Sequence, residues 1–125
     1  MLDITERDFL RAKHGYERAL ELAQRSEDPI TETIELISLG DTLMHFGRYD
    51  IAREYVQQAM DISAHLDDVN MVAIIHSMLA ELNRRSGDIP SAIAHYREAL
   101  RRFEQVQSPN AEDVRAALRD LGAEP

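Results

Sequence analysis

The chain has 125 residues and a formal net charge of −9, from 14 basic and 23 acidic side chains, and it contains no Cys. The lack of Cys excludes disulfide scaffolds, thiolate metal sites and cysteine nucleophiles, and the acidic balance argues against general nucleic-acid binding, because phosphates repel such a surface. No apolar run approaches the ~18 residues of a membrane span, and residues 1–6 are too acidic for a signal peptide, so we expect a cytoplasmic domain without membrane insertion.

Helical periodicity predicts six helices in chain order. Apolar residues recur at spacings of three, four and seven, and no alternating β-branched run indicates a strand. Gly47 suits a left-handed helix end, Asp88 suits an N-cap, and Ser108-Pro109 provides a further start signal. The predicted helices cover residues 5–25, 30–46, 49–66, 69–85, from Asp88 to 106, and 109–121. Because the connections are short, consecutive helices are expected to pack antiparallel.

An internal repeat relates these helices. The chain aligns with itself at an offset of 40 residues, and two columns hold Ala in all three copies. The first column is Ala12, Ala52 and Ala92, and the second is Ala19, Ala59 and Ala99. Small residues at seven-residue spacing mark the places where a second helix approaches closely.

The best copy of the repeat resembles the tetratricopeptide repeat family. Its pattern is Leu36-x-x-Leu39-Gly40-x-x-Leu43-x-x-x-Gly47-x-Tyr49-x-x-Ala52-x-x-x-Val56-x-x-Ala59, and a looser copy runs from His76 to Leu100. The resemblance covers roughly residues 8–104, with a 40-residue period in place of the family's usual, shorter one. It implies an all-α solenoid, a right-handed superhelical stack of antiparallel helix pairs.

This resemblance implies a division of the chain into about two and a half repeats and a cap. Residues 30–66 and 69–106 form the two repeats, residues 5–25 match a second helix whose first helix is missing upstream, and residues 109–121 form a capping helix. We expect one side of Phe9, Tyr16 and Leu20 to stay open for that reason. The chain is then a piece of a longer solenoid, or it pairs two such edges in a homodimer, or it forms a helix-exchanged dimer.

The resemblance also implies a partner-binding groove, because the second and fourth helices carry more apolar residues than one packed face needs. The candidate partner-binding residues are Ile34, Ile37, Asp41, Met44, His45, Ile74, Met78, Glu81, Arg84 and Arg85. Within this set, Arg84 and Arg85 are expected to supply charge selectivity at the rim. The alternative is that the apolar residues are core, closed by the last helix through Val114, Ala117, Leu118 and Leu121.

No pattern in the sequence predicts a catalytic, cofactor or metal site. The five His residues have no strong ligand spacing, and neither a nucleophile elbow nor a Gly-rich phosphate loop occurs. Asp41 and His45, one helical turn apart, are interpreted as an exposed ion pair, and His76 as a core or boundary residue. Thirteen Arg against one Lys favours a bacterial source with a GC-rich genome.

The sequence therefore predicts a non-enzymatic protein–protein interaction module that captures a peptide or an amphipathic helix. One alternative is a self-assembling structural subunit, a homodimer or higher oligomer that uses the same apolar surfaces. A further alternative is the peptide-sensing domain of a bacterial regulator. Each of these functions requires a protein or peptide partner and no cofactor or nucleic acid.

Overall fold

A computed structural model describes residues 4–125, and every regular element in that range is an α-helix. The helices are α1 (Ile4–Arg25), α2 (Pro29–His45), α3 (Tyr49–Ser63), α4 (Val69–Arg85), α5 (Ile89–Gln105) and α6 (Asn110–Asp120). The predicted all-α fold is thereby confirmed. None of the helices in the described range combines the length and the apolarity that a membrane crossing requires.

The chain forms two compact units, Met1–Leu66 and Asp67–Pro125. In the first unit α2 packs against both α1 and α3, and in the second unit α5 packs against both α4 and α6. Short connections reverse the chain between consecutive helices, so each packed pair within a unit runs antiparallel. Helices α2 and α4 begin 40 residues apart, as do α3 and α5.

Three helices begin at an aspartate that caps the first turn. The carboxylates of Asp28, Asp68 and Asp88 accept hydrogen bonds from the backbone N–H three residues later, at 3.2, 3.0 and 3.2 Å. Each bond satisfies one of the N–H groups that a helix start leaves without a partner. The predicted cap at Asp88 is confirmed, and Asp28 and Asp68 fill the same role.

The helix ends use left-handed backbone at regular positions. Gly47 has φ +76°, as its predicted role requires, and Gly87 has φ +91°. Glu27, Asp67 and Gln107 also adopt positive φ, at 54°, 48° and 54°. These three non-Gly positions lie 40 residues apart. The same left-handed turn therefore recurs with the repeat even where no glycine is present.

The prediction that the third helix extends to Leu66 is wrong, because α3 ends at Ser63. The backbone N–H of His65 bonds to the carbonyl of Ile62 and that of Leu66 to the carbonyl of Ser63, at 3.2 and 3.0 Å. Both bonds span three residues, so the chain tightens into a turn instead of continuing the α-helix.

The core of each unit consists of residues at helical spacing on the facing sides of its helices. In the first unit Leu36, Leu39 and Leu43 of α2 are fully buried. In the second unit a cluster joins α4, α5 and α6. Its members are Ala73, Ala80, Tyr96, Ala99, Leu100, Phe103, Ala111, Val114 and Leu118.

Candidate partner-binding surfaces

Helix α2 presents an apolar ridge on the side opposite its buried leucines. Ile30 is 56% exposed and Ile34 is 45% exposed, while Ile37 is half-buried. The three residues lie at spacings of four and three, which places them on one side of the helix, and we call them the α2 ridge. Met44, which was predicted to join this surface, is only 4% exposed and lies in the interior.

The polar end of the same side of α2 holds an exposed pair of side chains, Asp41 and His45. The Nδ1 of His45 lies 3.4 Å from the Asp41 carboxylate and 2.8 Å from the Asp41 backbone oxygen, and both side chains are more than half exposed. Because a carbonyl oxygen only accepts, the short contact places a proton on Nδ1. The predicted contact between Asp41 and His45 and its exposure are confirmed, and the contact leaves the Nε2 edge of the imidazole for another partner.

The corresponding side of α4 is less open. Ile74 is half-buried and packs against the core cluster of the second unit, to which α6 contributes Val114 and Leu118. Met78 is also half-buried. Ile74 therefore packs largely as a core residue, as the alternative prediction has it, and not as an open groove residue. On α2, by contrast, the ridge stays exposed.

A charged cluster occupies the end of α4. Glu81 accepts hydrogen bonds from Arg84, from Arg85 Nε at 2.9 Å and from the hydroxyl of Tyr96 on α5 at 2.8 Å. Burial alone would raise the pKa of Glu81, but the hydrogen bonds from Arg84, Arg85 and Tyr96 together outweigh it and lower that pKa to about 2. Burial, helped by the Glu81 carboxylate, raises the pKa of Tyr96 to about 12. Arg84 and Arg85 are thus held by an internal carboxylate, and the three charged groups together carry a single positive charge.

The second unit also contains a histidine pair that the sequence patterns did not predict. The Nδ1 atoms of His76 on α4 and His95 on α5 are 3.0 Å apart, and the ring centroids are separated by 5.2 Å. One ring must donate its Nδ1–H and the other must accept through an unprotonated Nδ1, so the accepting ring is neutral in this arrangement. Burial, followed by the charges of His95 and Arg102, lowers the pKa of His76 to about 4, and burial also lowers the pKa of His95.

A signal for this pair is present in the sequence. His76 lies between Ala73 and Ala80, and His95 lies between Ala92 and Ala99. Paired small residues at seven-residue spacing mark a close helix approach, so the residue midway between them on each helix faces the other helix. Within residues 4–125 no group of three or more His, Cys, Asp or Glu side chains is arranged to hold a metal ion.

A comparison with known families supports the repeat inferred from the packed helix pairs and from the Ala residues at 40-residue offset. The family model described as Tetratricopeptide repeat matches residues 31–105 and 71–123. The chain belongs to the tetratricopeptide repeat family. Tetratricopeptide repeats generally mediate protein–protein interaction. Neither a curated protein nor a solved structure matches the chain.

Helix α1 is only partly as open as the sequence predicts. Phe9 and Leu20 are buried, at 6% and 8% exposure, because α1 packs against α2. The ring centroid of Phe9 lies 4.6 Å from that of Phe46, and the guanidinium of Arg48 lies over the Phe9 ring. Tyr16 is 37% exposed, as expected.

A shallow surface groove accompanies the exposed Tyr16. It is lined by Arg11, Ala12, Gly15, Tyr16 and Ala19 of α1 and by Glu35 of α2. All of these residues belong to the first unit, so the groove is a property of the α1–α2 pair.

Proposed function

We propose that this tetratricopeptide repeat chain is a protein-binding module that captures an amphipathic helix or an apolar peptide on the α2 ridge. The observation that carries the proposal is the exposure of Ile34, which is 45% accessible on a helix whose opposite side is fully buried. A monomeric protein gains nothing from exposing aligned isoleucines, whereas a partner that covers them removes apolar surface from water.

The ridge supplies affinity and its polar neighbours supply selectivity. Ile34 and Ile37 offer branched apolar side chains to a partner, and the Asp41–His45 pair lies one to three turns further along the same side of α2. A partner residue that hydrogen-bonds the free edge of the His45 ring is favoured there.

In the second unit the proposal assigns a smaller contribution to α4. Ile74 and Met78 are half-buried and offer only part of their surface, while Arg84 is exposed and adjoins the Glu81 cluster. Because that cluster retains one positive charge, it favours an acidic residue on the partner. The proposed contribution of α4 is thus an electrostatic preference with a limited apolar contact.

The test is a selection of displayed 20-residue peptides against the immobilised protein, followed by fluorescence anisotropy of the enriched peptides. Ile34→Asp is the test variant, and Ile51→Asp is the matched control, because Ile51 on α3 is 46% exposed. We expect Ile34→Asp to weaken binding at least about tenfold, or ~1.4 kcal/mol, while Ile51→Asp binds as the wild type does. Equal affinities for the two variants would contradict the proposal.

The second candidate function is self-assembly. Large apolar side chains are exposed on all three helices of the first unit, including Leu22 at 62% on α1 and Ile51 at 46% on α3. A second copy of the chain is an alternative cover for such surface. The solution mass separates this function from capture of a foreign partner.

A further inference from the structure

The internal repeat shows a difference between α1 and the helices at equivalent positions, α3 and α5. Ala52 and Ala59 of α3 and Ala92 and Ala99 of α5 are fully buried. The residues 40 positions earlier, Ala12 and Ala19 of α1, are only half-buried. The same side of three equivalent helices is therefore covered in two of them and partly open in the first.

In the second unit the histidine pair identifies the helix that covers this side. His95 lies between Ala92 and Ala99, and its Nδ1 is 3.0 Å from that of His76, so α4 covers the Ala-bearing side of α5. The residue 40 positions before Tyr55, and 80 before His95, is Gly15 of α1. Gly15 is exposed, and a Cβ added there would lie in open space.

Leu22 extends the open side by two helical turns beyond Gly15. It is 62% exposed, whereas its equivalents Ile62 and Arg102 are partly buried. We name this surface the open α1 face. Its residues are Ala12, Gly15, Tyr16, Ala19 and Leu22.

One edge of the open α1 face carries positive charge. Arg11, Arg18 and Arg25 follow one edge at seven-residue spacing, and all three are exposed. Arg25 is paired with Glu21 of its own helix, while Arg11 lines the groove described above together with Glu35 of α2. Residues seven apart lie on one side of a helix, so the edge is a stripe of positive charge in a chain whose net charge is −9.

We propose that the open α1 face docks an amphipathic helix of a protein partner, with a ridge of large apolar residues against Ala12, Gly15 and Ala19 and an acidic flank along Arg11 and Arg18. The bound helix repeats an interface that the chain already makes twice, between α2 and α3 and between α4 and α5. Small residues allow the close approach, and the arginines determine which flank of the incoming helix faces them. This surface is separate from the α2 ridge.

The probe is a synthetic peptide of residues 28–46, the α2 segment of this chain. It carries the ridge Leu36, Leu39 and Leu43, and the segment contains no Lys or Arg. Glu35 borders this ridge, and Glu32 lies one turn before Leu36 on the same side. It is labelled with a fluorophore and titrated with the full chain while anisotropy is recorded. The second probe is the same peptide with Glu32→Gln and Glu35→Gln, which keeps the ridge and removes the acidic flank.

Two variants block the open α1 face by different means, and one matched variant leaves it intact. Leu22→Asp places a charge on the face, and Gly15→Trp fills it with a large ring. Leu10→Asp is the control, because Leu10 is a 45% exposed leucine on another side of α1. Since all three positions are exposed, urea unfolding is expected to stay within about 0.5 kcal/mol of wild type for the two Asp variants.

We expect the wild type and Leu10→Asp to bind the peptide equally, and Leu22→Asp and Gly15→Trp to bind at least about tenfold more weakly. The Gln peptide and raised salt should also weaken binding, because both remove the attraction to Arg11 and Arg18. Unchanged affinity in Leu22→Asp, or no binding to the wild type, would overturn the proposal. A wild-type dimer that Leu22→Asp alone converts to a monomer would overturn it too, since the occupant would then be a second copy. Ile34→Asp should leave this binding unchanged, so the outcome is independent of the α2 ridge.

Discussion

Acidification is expected to destabilise the second unit through the His76–His95 pair. The pKa of His76 falls from 6.5 to about 4 in the folded chain, chiefly because of burial. Below pH 6.5 the unfolded chain therefore binds a proton that the folded chain does not, and stability falls as the pH drops towards 4. The stability that depends on this pair is fully present above pH 6.5.

The size of the effect follows from the shift. A pKa shift of His76 from 6.5 to about 4 corresponds to about 3 kcal/mol of folding free energy without solvent screening. Screening at a half-buried ring reduces this to about 1–2 kcal/mol. Protonation of the accepting Nδ1 also places two Nδ1–H groups against each other across 3.0 Å. A pair whose accepting ring is protonated therefore loses its hydrogen bond and gains a charge.

The assay is urea unfolding of the wild type and of His76→Gln at pH 7.0 and pH 4.5. At pH 7.0 the variant should be less stable by about 1 kcal/mol, because it loses the hydrogen bond to His95. Between pH 7.0 and 4.5 the wild type should lose about 1–2 kcal/mol more than the variant, since carboxylates titrate alike in both. If both proteins lose the same free energy, the reasoning about the pair is refuted.

Four further substitutions test other parts of the structure by urea unfolding. Tyr96→Phe removes the hydroxyl that donates to Glu81 at 2.8 Å, and we expect a loss of about 1–2 kcal/mol and a higher pKa for Glu81 in carboxyl NMR titration; unchanged values would contradict the bond. Gly87→Ala places a side chain at φ +91° and should cost about 1 kcal/mol, whereas Gly15→Ala, in the middle of α1, should gain about 0.5–1 kcal/mol; the opposite signs would disprove the assignment of the turn. Leu118→Ala opens a cavity in the fully buried core and should cost about 2–5 kcal/mol, and a loss under 1 kcal/mol would mean that α6 does not close the unit.

The fold was predictable because its signals are local. The spacing of apolar residues gives the helix faces, Asp88 gives a helix start, and Gly47 gives a helix end, each through contacts within a few residues. The end of α3 was missed because Ser63 and the residues after it carry no strong breaker, so the turn depends on backbone bonds that span three residues.

The candidate site was only partly predictable, because its details depend on packing between helices. Arg84 and Arg85 stand three and four residues after Glu81, a spacing that already favours ion pairs, but the bond from Tyr96 crosses between α4 and α5. The burial of Met44 likewise depends on tertiary packing, since its sequence position is compatible with either side of the helix. Local patterns locate a face on a helix, and only the packed structure decides how much of that face remains exposed.

We propose that the α2 ridge is open to a foreign partner and is not covered by a second copy of the chain. The most direct test is the solution mass by light scattering on a size-exclusion column. Wild type, Ile34→Asp and Ile51→Asp are each measured over a tenfold range of concentration. We expect a mass of 14.3 kDa, that of the monomer, at every concentration in all three proteins. A wild-type dimer that Ile34→Asp dissociates and Ile51→Asp leaves intact would contradict it, because the ridge would then be covered by a second copy of the chain.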